Sequence, residues 1–178
     1  MILSFHPCYE GDVNILCAGR APGDTDLAAI RTAAAVVLPQ GCRPALYNMA
    51  REHCAHLFPN YDARFRYPGK TGQAKLFADM EVPHPRTWIF ENTAHFASAG
   101  ATVDAGGFPL VFKLDWGGEG QTVMLLRSPA DLNQALARAA AYERSGQSGF
   151  VVQVFVPHAG RTLRVAVVGQ TQMAYWRV

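Results

Sequence analysis

The sequence predicts an α/β protein in which a small open α/β domain is followed by an α+β subdomain with an antiparallel sheet. Two short apolar runs near the start are separated by a helical pattern, which is the order of a βαβ unit. Further along, two strand-like runs flank a glycine-rich loop, which is the order of a hairpin. With 178 residues, 49% of them hydrophobic, the chain is long and apolar enough to bury a core.

The first predicted domain covers residues 1–66. Apolar runs bounded by Pro and Gly predict strands, and apolar residues spaced three or four apart predict helices. Asp24 or Asp26 is expected to cap the first helix, because a short carboxylate can accept from the free N–H groups of the first turn. The predicted elements are strands at 1–5, 35–38 and 57–58 and helices at 27–35 and 45–56.

Two further regions are predicted, a linker over 67–104 and a subdomain over 105–178. Ser128 is expected to cap a long amphipathic helix, since serine is a favoured residue immediately before a helix. The linker is predicted to contain a helix at 71–80, a strand at 87–90 and a helix at 93–99. The subdomain is predicted to contain strands at 108–114, 123–126, 150–156, 162–168 and 172–178 and a helix at 131–144.

Composition excludes several function classes. The formal net charge is only +2, and no Lys/Arg cluster with interleaved aromatic residues appears, so we expect no nucleic-acid partner. No apolar run reaches the roughly 18 residues of a membrane helix, and the start lacks a basic segment, so we expect a cytoplasmic protein. The four cysteines lie at spacings that match no zinc or redox motif. The sequence leaves open whether the protein forms a homo-oligomer.

The most informative stretch is Phe108–Val123, in which a strand ends near Lys113 and a glycine-rich loop leads into a second strand. Glycines let backbone N–H groups turn toward an anion without interference from a Cβ atom, and the lysine can reach a phosphate. A Walker A loop and a dinucleotide-binding loop would each open a helix rather than a strand. The alternative is an ordinary flexible hairpin. The loop glycines are Gly117, Gly118 and Gly120.

This order of lysine, glycine loop and strand resembles the ATP-grasp superfamily, in which such a loop folds over the phosphates of a nucleotide. Lys70 precedes a helix that leads to Val82–Thr87, similar to the arrangement in glutathione synthetases and ribosomal-protein glutamate ligases. Glu81 replaces a glycine of that pattern. Residues 151–156 resemble the hinge strand that contacts adenine, and residues 163–169 resemble the arginine-bearing strand that follows.

The resemblance implies an ATP-dependent ligase that joins a carboxylate to an amine or thiol through an acyl phosphate. It implies that the two lysines and the loop glycines hold ATP, together with the hinge residues Gln153, Val154, Phe155 and Val156. It also implies that Arg164 and Arg177 stabilise the phosphate or the acyl phosphate.

The ligands of Mg²⁺ are expected beyond Val178, so the chain is expected to be an N-terminal fragment that is inactive alone. The alternative function is a non-catalytic nucleotide-binding or interaction module. The alternative interpretation of these lysines and arginines is that they are ordinary solvated surface residues. For Lys75, which lies at no motif position, we expect this alternative.

Overall fold

The computed structural model describes residues 1–17, 19–99, 101–104, 107–117 and 120–177. The chain divides into two compact units, Met1–Pro68 and Gly69–Val178. Within the described residues, no helix combines the length and the apolar character that crossing a membrane requires.

The first unit contains one parallel sheet of four short strands in the order β2-β1-β3-β4. Its strands are β1 (Ile2–Ser4), β2 (Val13–Asn14), β3 (Ala35–Val37) and β4 (Leu57–Phe58). Its helices are α1 (Asp24–Thr32), α2 (Pro44–His53) and α3 (Asp62–Arg66). The sequence did not predict β2 or α3.

The core of the first unit forms where the central strands meet the apolar faces of the two longer helices. Leu3 and Val36 from β1 and β3 are fully buried, as is Ile30 of α1, and Leu46 and Ala50 of α2 complete the contact.

The expected cap of α1 is wrong. The helix begins at Asp24, three residues before the predicted start, and the residue at the cap position is Gly23, which has no side chain to accept a bond. Asp26 instead lies inside the first turn, where its carboxylate accepts from the N–H of Gly23 at 2.8 Å and from Arg20. A buried carboxylate needs such partners, and Arg20 supplies them from outside the helix.

The second unit contains a four-stranded antiparallel sheet in the order β5-β8-β6-β7 and a separate two-stranded antiparallel sheet, β9-β10. Its strands are β5 (Thr87–Phe90), β6 (Leu110–Leu114), β7 (Val123–Leu126), β8 (Phe150–Val154), β9 (Thr162–Val168) and β10 (Thr171–Arg177). Its helices are α4 (Gly69–Asp79), α5 (Thr93–Ala99), α6 (Ala101–Asp104) and α7 (Pro129–Glu143). The region 67–104 thus contributes α4, β5, α5 and α6 to this unit.

The four-stranded sheet has two different faces, because neighbouring residues of a strand point to opposite sides. One face, here called the inner face, carries Phe112 of β6 and Phe150 of β8, whose rings stack with their centroids 4.6 Å apart. The buried side of α7 belongs to the same core, and Ser128 caps that helix as predicted, accepting from the N–H of Asp131 at 3.3 Å. The opposite, outer face carries Lys113 and Gln153.

Candidate functional site

Lys113 lies on the outer face of β6 and is held there by a chain of hydrogen bonds across the sheet. Its Nζ donates to Oε1 of Gln153 on β8 at 2.7 Å. The amide Nε2 of Gln153 donates to Oγ1 of Thr87 on β5 at 2.7 Å, and that hydroxyl donates to the carbonyl of Pro85 at 2.7 Å. Because three strands contribute, the direction of the ammonium group is fixed by the sheet rather than by a loop.

Lys70 approaches the same region from the beginning of α4. Its Nζ donates to the carbonyl oxygens of Trp116 and Gly117, at 2.8 and 3.0 Å, and to Oγ1 of Thr122 at 3.3 Å. All three acceptors belong to the connection between β6 and β7, which is the glycine-rich loop singled out from the sequence. The ammonium group of Lys70 therefore holds this loop against the start of α4.

Asp115, at the end of β6, joins the two lysine-bearing elements. Its carboxylate accepts from the N–H of Thr71 at 2.7 Å, and its own N–H donates to the carbonyl of Gly149 at 2.9 Å. Gly69 has a φ of +68°, and a Cβ atom there would overlap the carboxylate of Asp115. The sequence assigned Asp115 no role, because its partner Thr71 lies 44 residues earlier and no motif connects the two.

The electrostatics of the two lysines favour an anion between them. Burial lowers the pKa of Lys113, and the charge of Lys70 lowers it further. Burial also lowers the pKa of Lys70, while the carboxylate of Asp115 acts in the opposite direction. Within the part of the chain that the structure describes, neither lysine forms an ion pair. A bound anion would offset the burial cost of both ammonium groups.

The two lysines line one cavity of about 230 Å³ between α4 and the outer face of the sheet. Thr87 and Gln153 add polar groups to its wall, and the remaining lining is largely apolar. Lys75 does not line this cavity. The combination of two ammonium groups with an apolar wall suits a ligand that has a charged end and a flat, less polar end. The other lining residues are Gln73, Ala74, Phe77, Val123 and Val151.

The described glycines of the loop adopt backbone conformations that favour glycine. Gly117 and Gly120 have φ angles of +80° and +83°. A Cβ atom at Gly117 would also come within 2.7 Å of Cγ2 of Thr122. Gly118 lies outside the described residues. The loop conformation at Gly117 therefore requires both the left-handed backbone and the missing side chain.

The predicted hinge residues lie at the end of β8 and just beyond it. Gln153 and Val154 are its last two residues, and Phe155 and Val156 follow the strand. The N–H of Val154 donates to the carbonyl of Arg86 at 2.9 Å, and the N–H of Phe155 donates to the carbonyl of Pro109 at 3.3 Å. These two donors are therefore occupied within the protein.

Arg164 and Arg177 lie on one face of the β9-β10 sheet. Arg164 is opposite Tyr175, and Arg177 is opposite Thr162. Both arginines are exposed. Among the described residues, no hydrogen bond or ion pair joins them to the lysine cavity, so the structure brings together Lys70, Lys113, Gln153 and Gly117 but gives the arginines no contact with that group.

The fold has clear counterparts among solved structures. A RimK domain protein of ATP-grasp type from Sphaerobacter thermophilus aligns with a TM-score of 0.67 and 16% identity over 99% of this chain and 72% of that one. The ADP complex of PurK, an N5-carboxyaminoimidazole ribonucleotide synthetase, aligns with a TM-score of 0.61 and 16% identity over 98% of this chain and 45% of that one. The D-alanine-D-alanine ligase of Helicobacter pylori aligns with a TM-score of 0.54 and 16% identity over 80% of this chain and 44% of that one.

These likenesses establish the fold. The chain has the ATP-grasp fold, in the order that the sequence predicted, with a small open α/β unit followed by an α+β unit. It spans less than half the length of the PurK protein and of the D-alanine-D-alanine ligase. No protein-family model and no curated protein matches it at the level of sequence.

Proposed function

We propose that the second unit binds ATP, with the phosphates between Lys70 and Lys113 and under the glycine-rich loop. The observation that carries the proposal is that two lysines 43 residues apart in sequence, from a helix and a strand, line one cavity of about 230 Å³ without an ion-pair partner among the described residues. Two ammonium groups beside a glycine-containing backbone match the charge and shape of a polyphosphate.

Each lysine has a distinct part in this proposal. Lys113 presents an ammonium group whose direction Gln153 fixes, so little side-chain entropy is lost when a phosphate binds. Lys70 donates to neutral carbonyl oxygens of the loop, and phosphate oxygens are stronger acceptors because the bonds they form are charge-assisted. We therefore expect ATP to draw Lys70 from the carbonyls of Trp116 and Gly117 toward the phosphates.

The purine would lie against the hinge. Because the N–H groups of Val154 and Phe155 are already used in the sheet, the N–H of Val156 is the donor that we expect to contact the base. Backbone recognition of this kind is compatible with apolar side chains at these positions.

The reaction that we propose is ligation. An oxygen of a substrate carboxylate attacks the γ-phosphorus of ATP, the bond from that phosphorus to ADP breaks, and an acyl phosphate forms. An amine or thiol then attacks the acyl carbon, and inorganic phosphate leaves. Two of the proteins with this fold carry the words ligase and synthetase in their names. Arg164 and Arg177 are proposed to stabilise the acyl phosphate, since a guanidinium group can bind two oxygens at once.

Chemistry of this kind implies Mg²⁺, which proteins commonly hold with one or two carboxylates together with the phosphates of the substrate. No group of three or more His, Cys, Asp or Glu side chains that could hold a metal occurs among the described residues. The roles proposed here accordingly involve only the lysines, the arginines and the loop backbone.

Calorimetric titration with ATP tests the binding proposal. Lys113→Ala is expected to weaken ATP binding by at least about 1.5 kcal/mol, which is about tenfold in Kd, because it removes a charge-assisted contact. Lys75→Ala is the matched control, a lysine of α4 outside the cavity, and is expected to leave the affinity unchanged. Equal effects of the two substitutions would remove the basis of the assignment.

A second measurement separates a ligase from a binding module. Release of ADP from the full-length protein that depends on an added carboxylate and an added amine or thiol would support the ligase. Binding of ATP without any such release, across a panel of carboxylates, would support the alternative of a non-catalytic nucleotide-binding module.

A further inference from the structure

The first unit contains a cavity of about 390 Å³ that the proposed ATP site does not use. Its walls are mostly apolar, with Phe5 and Leu46 buried in the core at its base and Leu16 beside them. The side chain of Leu16 remains 64% exposed. The volume lies in the range of roughly 300–1,000 Å³ that small-molecule sites occupy.

The position of this cavity in the fold is one that favours ligands. Phe5 follows β1, Leu16 and Cys17 follow β2, and Pro39 follows β3, so the lining comes from the carboxyl ends of three adjacent parallel strands. Open α/β sheets commonly bind their ligands outside this edge, where the loops leave a crevice.

Two arginines line the cavity, and only one of them is available to a ligand. Arg20 is neutralised by Asp26, to whose two carboxylate oxygens its guanidinium nitrogens donate at 2.6 and 2.7 Å. Arg43 forms no ion pair among the described residues. Its guanidinium reaches the loop after β2, because a Cβ atom built on Gly19 would lie 3.5 Å from Nη2 of Arg43. The cavity therefore offers a single uncompensated positive charge.

The remaining polar groups of the lining are uncharged at neutral pH. Cys17 and Cys42 are both buried free thiols. Burial raises the pKa of Cys42 to about 11, and burial together with the nearby carboxylate of Asp26 raises that of Cys17. The thiols therefore behave as small, polarisable parts of an apolar wall, and they add no charge that would compete with Arg43.

From the apolar walls, the position at the strand ends and the single free guanidinium, we propose that this cavity binds a small molecule with an apolar body and one carboxylate group. The carboxylate lies against Arg43, which can donate two parallel hydrogen bonds to it. The apolar body lies against Phe5, Leu46 and Leu16. A dianion such as a phosphate ester would leave one charge uncompensated, because Arg20 is already paired.

Titrations followed by amide chemical shifts in NMR spectra test the proposal without any nucleotide. The probes are benzoate, 3-phenylpropionate, hexanoate and octanoate, each compared with its primary amide, which has nearly the same shape but no charge. We expect at least one acid to shift the amides of residues 15–17 and 41–46, with an affinity at least about fivefold above that of its amide, which is the difference between a charged and a neutral hydrogen bond.

Arg43→Leu should remove the preference for the acid and leave binding of the amide in place. The side chain of Arg43 is exposed and makes no capping bond at the start of α2, so the substitution should not unfold the unit. Arg31→Leu removes another exposed arginine, on α1 and outside the cavity, and should leave the preference intact.

Three outcomes would overturn the proposal: no localised shifts with any of the four acids, equal affinity for acids and amides, or an equal loss in the two arginine variants. None of these outcomes depends on ATP, so they leave the proposed function of the second unit unaffected.

Discussion

The two faces of the four-stranded sheet in the second unit are built from the same strands and serve different purposes. On β6, Lys113 points to the outer face, while its neighbours Phe112 and Leu114 point to the inner face and are fully buried. On β8, Gln153 and Phe150 divide in the same way. The polar side chains that line the cavity and the aromatic side chains of the core thus lie on opposite sides of the same strands, which the two-residue repeat of a strand allows.

This arrangement explains why the ammonium group of Lys113 can be held without an ion-pair partner among the described residues. The strand that carries it is fixed by the aromatic cluster behind it, in which Phe90 and Phe150 lie with ring centroids 5.3 Å apart and Phe112 stacks on Phe150. Burying the ammonium group on the outer face is unfavourable, and the packing of aromatic side chains on the inner face of the same strands offsets that free energy.

The largest expected effect tests the inner face. Phe112→Ala should lower the free energy of unfolding by about 3–5 kcal/mol, because it removes a fully buried ring and leaves a cavity. Val111→Ala, one residue earlier on the outer face and only partly buried, should cost clearly less. Urea denaturation of both variants measures the difference, and a loss at position 111 as large as that at 112 would contradict the division into two faces.

A smaller effect tests the outer face. Gln153→Leu should weaken ATP binding by about 1 kcal/mol, since the bond that orients Lys113 is lost while the ammonium group remains. The free energy of unfolding should change little. Gln153→Glu keeps an acceptor for Lys113 and should therefore preserve the orientation of that lysine. We expect this variant to bind ATP more weakly for a different reason, because its carboxylate would repel the phosphates.

The two variants can be told apart by salt. Repulsion between ATP and the carboxylate introduced by Gln153→Glu should diminish as ionic strength rises, whereas the loss in Gln153→Leu should persist. If the affinity of Gln153→Leu equals that of the unaltered protein in calorimetry, Gln153 does not position Lys113 for binding.

Much of this sheet could be predicted from the sequence, and the reasons are local. Strand-like runs on both sides of the glycine loop indicated the β6-β7 hairpin, and Ser128 before an apolar repeat indicated α7.

In the first unit, the two-residue strand β2 and the five-residue helix α3 were missed, because segments this short contain too few residues to show a periodic pattern.

The side-chain geometry of the site could not be predicted in the same way. The sequence identified Lys113 and Gln153 as separate motif positions, but their contact spans 40 residues of chain. It depends on the register that pairs Lys113 with Val151. Asp115 was assigned no role from the sequence, and its bond to Thr71 depends on where α4 meets the sheet. Contacts of this kind are set by tertiary packing and leave no local pattern.

The smallest expected effect concerns pH. Burial lowers the pKa of Lys113 in the folded protein, so the unfolded chain holds this proton more tightly. Stability should therefore rise as pH increases from the lowered pKa toward the ordinary lysine value of about 10.4. Lys113→Met should flatten this rise in urea denaturation on the alkaline side, below the ordinary lysine value, and leave the contribution of Lys70. Identical slopes for the two proteins would show that Lys113 does not contribute.

The close approach of Gly69 to Asp115 has a consequence for ligand size. A Cβ atom at position 69 would overlap the carboxylate of Asp115, so either that side chain or the start of α4 would have to move. If the helix moved, Lys70 would shift relative to Lys113 although neither lysine had changed. In the proposed ATP site, the span between the two ammonium groups would therefore depend in part on a position that has no side chain. Variation at residue 69 would be expected to alter the choice among mono-, di- and triphosphates before it altered the chemistry.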